Sequence, residues 1–123
     1  MPTLQSVAAA EVVQLTTTAG SPEDAARLAE ALLRPRLAAC VQVVGPVQSR
    51  YWWQGRLESA TEWLCIAKTT TAQADAAVAA VRAAHRDEVP EVLVTAVVGG
   101  HGAYLDWVAA ESGAADLEHR RRP

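Results

Sequence analysis

The chain has 123 residues, half of them apolar, and a formal net charge of −3 at neutral pH. This length fits a single domain, able to bury about two-thirds of its unfolded surface in one core without disulfide staples. The acidic balance argues against a nucleic-acid footprint, no run approaches the ~20 apolar residues of a membrane span, and the start MPTLQSVAAAE has neither the basic opening nor the long apolar run of a secretory signal.

A cytoplasmic location is therefore expected. The two cysteines, Cys40 and Cys65, have no CxxC spacing and no His partners of zinc-finger type. The domain is expected to fill residues 1–123, with a core over about 11–112 and a tail over 113–123. The basic run His119 to Arg122 in that tail reads as a solvated face, with a phosphate contact as the competing reading.

In chain order, Val12 to Thr18 is β-branched and reads as a strand. Ser21, Pro22, Glu23 and Asp24 spell a helix start: an N-cap, a proline at the first position and acids in the first turn. Ala25, Leu28, Ala29 and Leu32 continue it at helical spacing, and Arg34-Pro35 ends it. A β-rich run follows from Ala39 to Trp53. Gln54-Gly55 is a two-residue turn, and a second run goes from Arg56 to Thr70. A second helix is predicted from about Ala72 to Arg86, with Ala74, Ala77, Val78, Val81 and His85 on one stripe. Val89-Pro90 breaks it. Val92 to Val98 is the last strand, Gly99, Gly100 and Gly102 form a loop, and a helix from about Ala103 to Ser112 closes the domain. The order β-α-β-β-α-β with right-handed crossovers gives an α+β, ferredoxin-like sheet with a long hairpin between its second and third strands and a C-terminal helix.

Two features of this pattern call for a second copy of the chain. In the last strand both faces are apolar, Leu93, Thr95 and Val97 on one side and Val92, Val94, Ala96 and Val98 on the other. With Trp53 opposite Arg56, the hairpin places Val41, Val43, Leu64 and Ile66 on one face and Cys40, Val44, Trp63, Cys65 and Ala67 on the other. Two helices cover only one face, and soluble monomers rarely leave the other wet. The hairpin is also too long: 14 residues span about 46 Å, against a domain diameter of roughly 35 Å. Its far end, RYWWQGRLE, gathers Tyr51, Trp52 and Trp53, three of the six aromatics in a chain without Phe. A projecting arm tipped with aromatics reads as an interface anchor. The competing readings are packing on their own domain and a platform for an aromatic ligand. The same register puts Cys65 opposite Val44, about 13 Å along the strand from Cys40, beyond the ~7 Å reach of a disulfide.

The segments VVQLTTTAGSPEDAARLAEALLRPRLAACVQV, RYWWQGRLE, Lys68-Thr69, HRDEVPE and YLDWV resemble the CutA family of divalent-cation tolerance proteins, over about residues 11 to 110. The resemblance implies a homotrimer whose hairpins contact neighbouring subunits, a cytoplasmic setting in bacteria, and tolerance of copper and other divalent metals, with copper bound by some members. The trimer is similar to the nitrogen-regulatory PII proteins, which bind small ligands between subunits. One departure stands out. The family usually carries Pro after the His of this segment, whereas His85 is followed by Arg86, with Pro90-Glu91 at the usual distance.

Three residues are candidate metal ligands. His85 matches the family His, and imidazole suits copper; the competing reading is a helix cap packed on the apolar stripe. Glu91 follows Pro90 at a strand start and competes with a structural carboxylate. Cys40 matches the family Cys, and its thiolate suits copper(I), against a buried small hydrophobe. The topology separates them, His85 and Glu91 at the hairpin end of the sheet, Cys40 and Lys68 at the other. Lys68, followed by three Thr, with Tyr104 and Trp107 on one face of the last helix, is the candidate set for a small anion; a salt bridge and ordinary packing are the competing readings. His101 has no second ligand near it in sequence.

Copper or another divalent ion, not tightly held, is the implied cofactor, and a metal-responsive binding protein the implied function. The alternative is a PII-like regulator with an anion in the inter-subunit cleft. Catalysis is not expected. There is no nucleophile with a paired base and no phosphate loop, and TTTAGSP lacks the Arg that an acylphosphatase-type loop on this fold needs.

Overall fold

The computed structural model describes residues 11–113; the tail with His119 to Arg122 lies outside them. Seven elements follow in order: β1 (Val12–Ala19), α1 (Pro22–Leu33), β2 (Cys40–Trp53), β3 (Arg56–Thr70), α2 (Thr71–Ala84), β4 (Val92–Ala96) and α3 (Gly102–Glu111). The four strands form one antiparallel sheet in the order β2-β3-β1-β4. This is the ferredoxin-like arrangement. The Ser21 hydroxyl caps α1 by accepting the Asp24 N–H at 3.1 Å, with Pro22 in the first turn. Gln54 and Gly55 both take positive φ, 50° and 79°, the backbone of a tight hairpin turn whose twist matches its strands.

The core lies between the sheet and the pair α1–α2. Leu15, Ala19, Cys65 and Ala67 from the sheet meet Ala25, Leu28 and Leu32 of α1 and Ala77 and Val81 of α2. Thr17 belongs to this face, opposite Cys65 and Val92, and is fully buried with no hydrogen-bond partner for Oγ1. Thr17→Val keeps the shape and removes that unpaired hydroxyl, so the variant is expected to be more stable by about 1 kcal/mol in chemical denaturation.

The other face is covered only in part. Leu105 and Val108 of α3 pack on Val12, with Ala39 and Val97 beside them. Beyond α3, Val44 is 49% and Leu93 56% exposed, and Leu64 and Ile66 stand half-buried between their strands.

The hairpin register corrects the sequence reading in its inner half. From Trp53↔Arg56 to Val47↔Glu62 the pairs are as expected, but the register then shifts, and Val44 pairs with Leu64, Val43 with Cys65 and Cys40 with Lys68. Gly45 and Pro46, joined by a cis peptide bond, oppose the single residue Trp63. Pro cannot donate to the ladder, and a bulge is where a sheet accommodates it. A Cβ on Gly45 would fall inside the Trp63 indole, so only glycine lets the ring lie there. Val41 and Val43 therefore share the helix-facing side with Cys65 and Ala67, while Cys40 and Val44 share the other with Lys68 and Leu64. Cys65 is still about 10 Å along the strand from the residue opposite it to Cys40, and both thiols are free.

β4 is also shorter than predicted, ending at Ala96, although the Val97 N–H still reaches the Val12 carbonyl at 3.2 Å. The β1–β3 pairing stops at Ala19↔Trp63, so residues 47–62 pair only with each other and run past the sheet as an arm.

Candidate functional site

The arm and the segment after α2 flank an open cleft of about 850 Å³ at the hairpin end of the sheet. Arg50, Tyr51, Trp52 and Trp53 form one wall, and Arg86, Asp87, Glu88, Val89, Pro90 and Glu91 the other, with Thr18 and Glu62 between them. Two local signals put these walls together. The turn at Gln54-Gly55 folds β3 back along the aromatic end of β2, and Pro90 ends the connection so that Glu91 immediately precedes β4.

His85 immediately precedes the second wall and ties it to β1. It is the C-terminal cap residue of α2, in an extended backbone conformation, and its ring is only 4% exposed. Nε2 donates to the Thr18 carbonyl at 2.6 Å, and Nδ1 accepts the Asp87 N–H at 3.0 Å. A carbonyl only accepts and an amide only donates, so the neutral tautomer protonated on Nε2 satisfies both. Both ring nitrogens thus hold the backbone, tying the connection to β1.

Arg86 supplies a different anchor. Its Nε donates to Asp24 Oδ1 at 2.9 Å, across to the first turn of α1, where Arg27 lies 3.5 Å from the same oxygen. The Arg86 hydrogen bond is the main cause that holds the Asp24 carboxyl below its ordinary value of 3.8; partial burial works the other way. A depressed folded pKa contributes stability above the unfolded value and loses it as pH falls through the folded one. Arg86→Ala is therefore expected to raise the Asp24 pKa in an NMR titration, and the stability gap between the two proteins should close as pH falls below 3.8.

The expected metal ligands do not meet. Glu91 lines the cavity and His85 does not, reaching it only through its bond to the lining residue Thr18, while Cys40 is paired with Lys68 at the other end of the sheet. There Cys40 neighbours Tyr104, whose phenol is pushed up by burial and by that thiol. Tyr104 and Trp107 stack with ring centroids 5.7 Å apart, and Lys68 Nζ donates to Gln42 Oε1. Lys68, Cys40, Tyr104 and Trp107 thus belong to one end, as a neighbourhood rather than a closed pocket. Burial pushes the Cys65 thiol up, and its Sγ faces the Ala25 carbonyl at 3.9 Å in the core, the setting of an inert thiol. Among the described residues, no group of three or more His, Cys, Asp or Glu side chains is placed to hold a metal ion. A copper site built from the imidazole and thiolate candidates does not fit one protomer.

Arg50, Glu62, Asp87 and Glu88 are lining residues that the sequence reading did not single out. The Asp87-Glu88 run was the available signal, but only the folded arm shows that it faces aromatics.

Among the described residues no helix is long and apolar enough to cross a membrane. The chain matches the family described as CutA1 divalent ion tolerance protein over residues 13–111. It is 39% identical over 103 residues to the divalent-cation tolerance protein CutA of Thermus thermophilus, covering 84% of this chain and 98% of that one. It is 38% identical over 91 residues to the chloroplastic protein CutA 1 of Oryza sativa, covering 74% of this chain and 51% of the relative. The chain thus spans about half the length of such plant relatives and nearly all of the bacterial one. The solved CutA1 structures from Thermus thermophilus and Oryza sativa superpose with TM-scores of 0.81 and 0.82, at 36% and 33% identity, covering 83% and 87% of this chain and 99% and 98% of theirs. A relative from Archaeoglobus fulgidus is described as periplasmic, so the relatives are not confined to one compartment. On the family match, the sequence identity and the shared fold together, the chain belongs to the CutA1 family of divalent ion tolerance proteins.

Proposed function

We propose that the protein is a non-catalytic divalent-cation tolerance protein that works as a homotrimer and contacts metal ions through the carboxylates at the hairpin end of its sheet. The observation that carries the assembly is the sheet face beyond α3, where Val44 and Leu93 are exposed and Leu64 and Ile66 only half-buried, together with the arm that runs past the domain edge. Soluble chains bury such a surface against a partner, and the family resemblance implies three copies. Tyr51, Trp52 and Trp53 are the anchors in this reading.

The metal part rests on Glu91 sharing one cavity with Glu62, Asp87 and Glu88, a concentration of negative charge that attracts cations rather than a closed set of ligands within the described residues of one protomer. Carboxylate oxygens suit hard divalent cations, whereas His85 would have to give up a backbone hydrogen bond to bind copper. Calorimetric titration of the assembled protein with manganese(II) and copper(II) tests this. Weak binding of both, reduced about tenfold in Glu91→Gln, is expected; no heat with either metal would remove direct binding from the proposal.

A second reading places a small anion between subunits at Lys68, Tyr104 and Trp107, favoured by their gathering with Cys40 at one end of the sheet. A screen of nucleotides and organic acids would support it through a melting-point rise lost in Lys68→Ala.

A further inference from the structure

The run Lys68-Thr69-Thr70-Thr71 is divided by the fold. Lys68 turns to Gln42, Thr69 Oγ1 donates to the Leu37 carbonyl at 2.6 Å, and Thr71 Oγ1 donates to the Glu11 carbonyl at 3.2 Å. What remains is the start of α2. The first N–H groups of any helix lack intrahelical partners. In α1, Ser21 takes one of them, and Glu23 and Asp24 supply negative charge in the first turn. The 14-residue α2 has neither device: the Thr70 side chain makes no cap bond, and no acid stands in the first turn.

This helix end opens on a second cavity, of about 440 Å³. One wall is Thr70, Thr71, Ala72 and Gln73, and the facing wall is Ala109, Ser112 and Gly113 from the end of α3. Ser112 is 4% exposed, and its Oγ has no hydrogen-bond partner. A buried hydroxyl left unpaired needs an explanation. Ser112 lines a cavity whose other wall is the start of α2, where the first N–H groups have no intrahelical acceptors, and a turn of its side chain would bring the hydroxyl to the same space.

We infer that this cavity binds a small tetrahedral oxyanion, phosphate or the phosphate of a monoester, between the first-turn N–H groups of α2 and the Ser112 hydroxyl. The helix start contributes partial positive charge and correctly pointed donors, and the hydroxyl contributes one more donor. The volume exceeds that of a bare phosphate and leaves room for an organic substituent. Glu11 also lines the cavity, and its carboxylate opposes the anion, which keeps the affinity modest. Every group belongs to one protomer, so the site depends on neither the self-assembly nor the metal reading.

The test is an NMR and melting-point titration of the full chain with inorganic phosphate, against chloride at matched ionic strength. Saturating shifts of the Ala72 and Gln73 amides and a rise in melting point are expected. Ser112→Ala removes a hydroxyl that bonds to nothing in the protein, so it should fold and bind about five-fold more weakly, while Glu11→Gln should bind more tightly. Tighter binding of glycerol phosphate than of phosphate would assign the remaining volume to an organic group, and equal binding would assign the site to the free anion. Amides that do not shift, or an unchanged titration in Ser112→Ala, would overturn the inference.

Discussion

Replacing Trp52 and Trp53 together by alanine is expected to lower the particle mass in light scattering from about three times 13.1 kDa to that of one chain. Neither ring is part of the buried core, and Trp52 is 73% exposed in the isolated protomer. Their removal should leave the core intact. The two lie on opposite sides of the arm, Trp52 paired with Leu57 and Trp53 with Arg56. Buried aromatic anchors at an interface cost about 2 kcal/mol or more each when truncated, enough together to shift a micromolar assembly to free chains. Unchanged circular dichroism beside the lost mass would locate the effect in assembly rather than folding. A wild-type protein that already runs as one chain would remove the self-assembly proposal.

His85→Ala should destabilise the protomer by about 3 kcal/mol in chemical denaturation. The substitution opens a cavity under the connection and leaves the buried Thr18 carbonyl and the Asp87 N–H to find other partners. A side chain whose only duty was to hold a metal from the surface would cost far less to remove. His85→Asn, which can still donate to Thr18, is expected to recover part of the loss. A stability unchanged within about 0.5 kcal/mol in the alanine variant would mean that the two backbone bonds do not anchor the connection, and would return His85 to the surface-ligand role.

The fold was legible where the chain carries its own punctuation. Ser21-Pro22 and Arg34-Pro35 bound α1, Gln54-Gly55 places the turn, and Val89-Pro90 separates α2 from β4. The inner half of the hairpin was not legible, because Gly45-Pro46 announces a break in the ladder without saying how many residues stand opposite it. The answer, one residue, depends on how the Trp63 ring lies against Gly45. The length of β4 escaped for a similar reason: a continuous apolar run does not say where its partner strand ends. For the candidate site, His85, Glu91 and Cys40 were identifiable as residue types, and their separation followed from topology. The bonds that occupy His85, the Arg86–Asp24 tie over 62 positions and the α2–α3 cavity join segments far apart in sequence, and local pattern does not encode them.

The bulge at Gly45-Pro46 has an evolutionary consequence. A bulge bends its strand, so these residues set the direction in which the arm leaves the sheet, while the tip aromatics set what it adheres to. Deleting one of them would restore an even ladder, keep Val47 opposite Glu62 and every outer pair in place, and still point the arm elsewhere. Aim and adhesion can then drift separately. Two sister chains with identical tips but differently angled arms would be expected, when made in the same cell, to sort into separate assemblies.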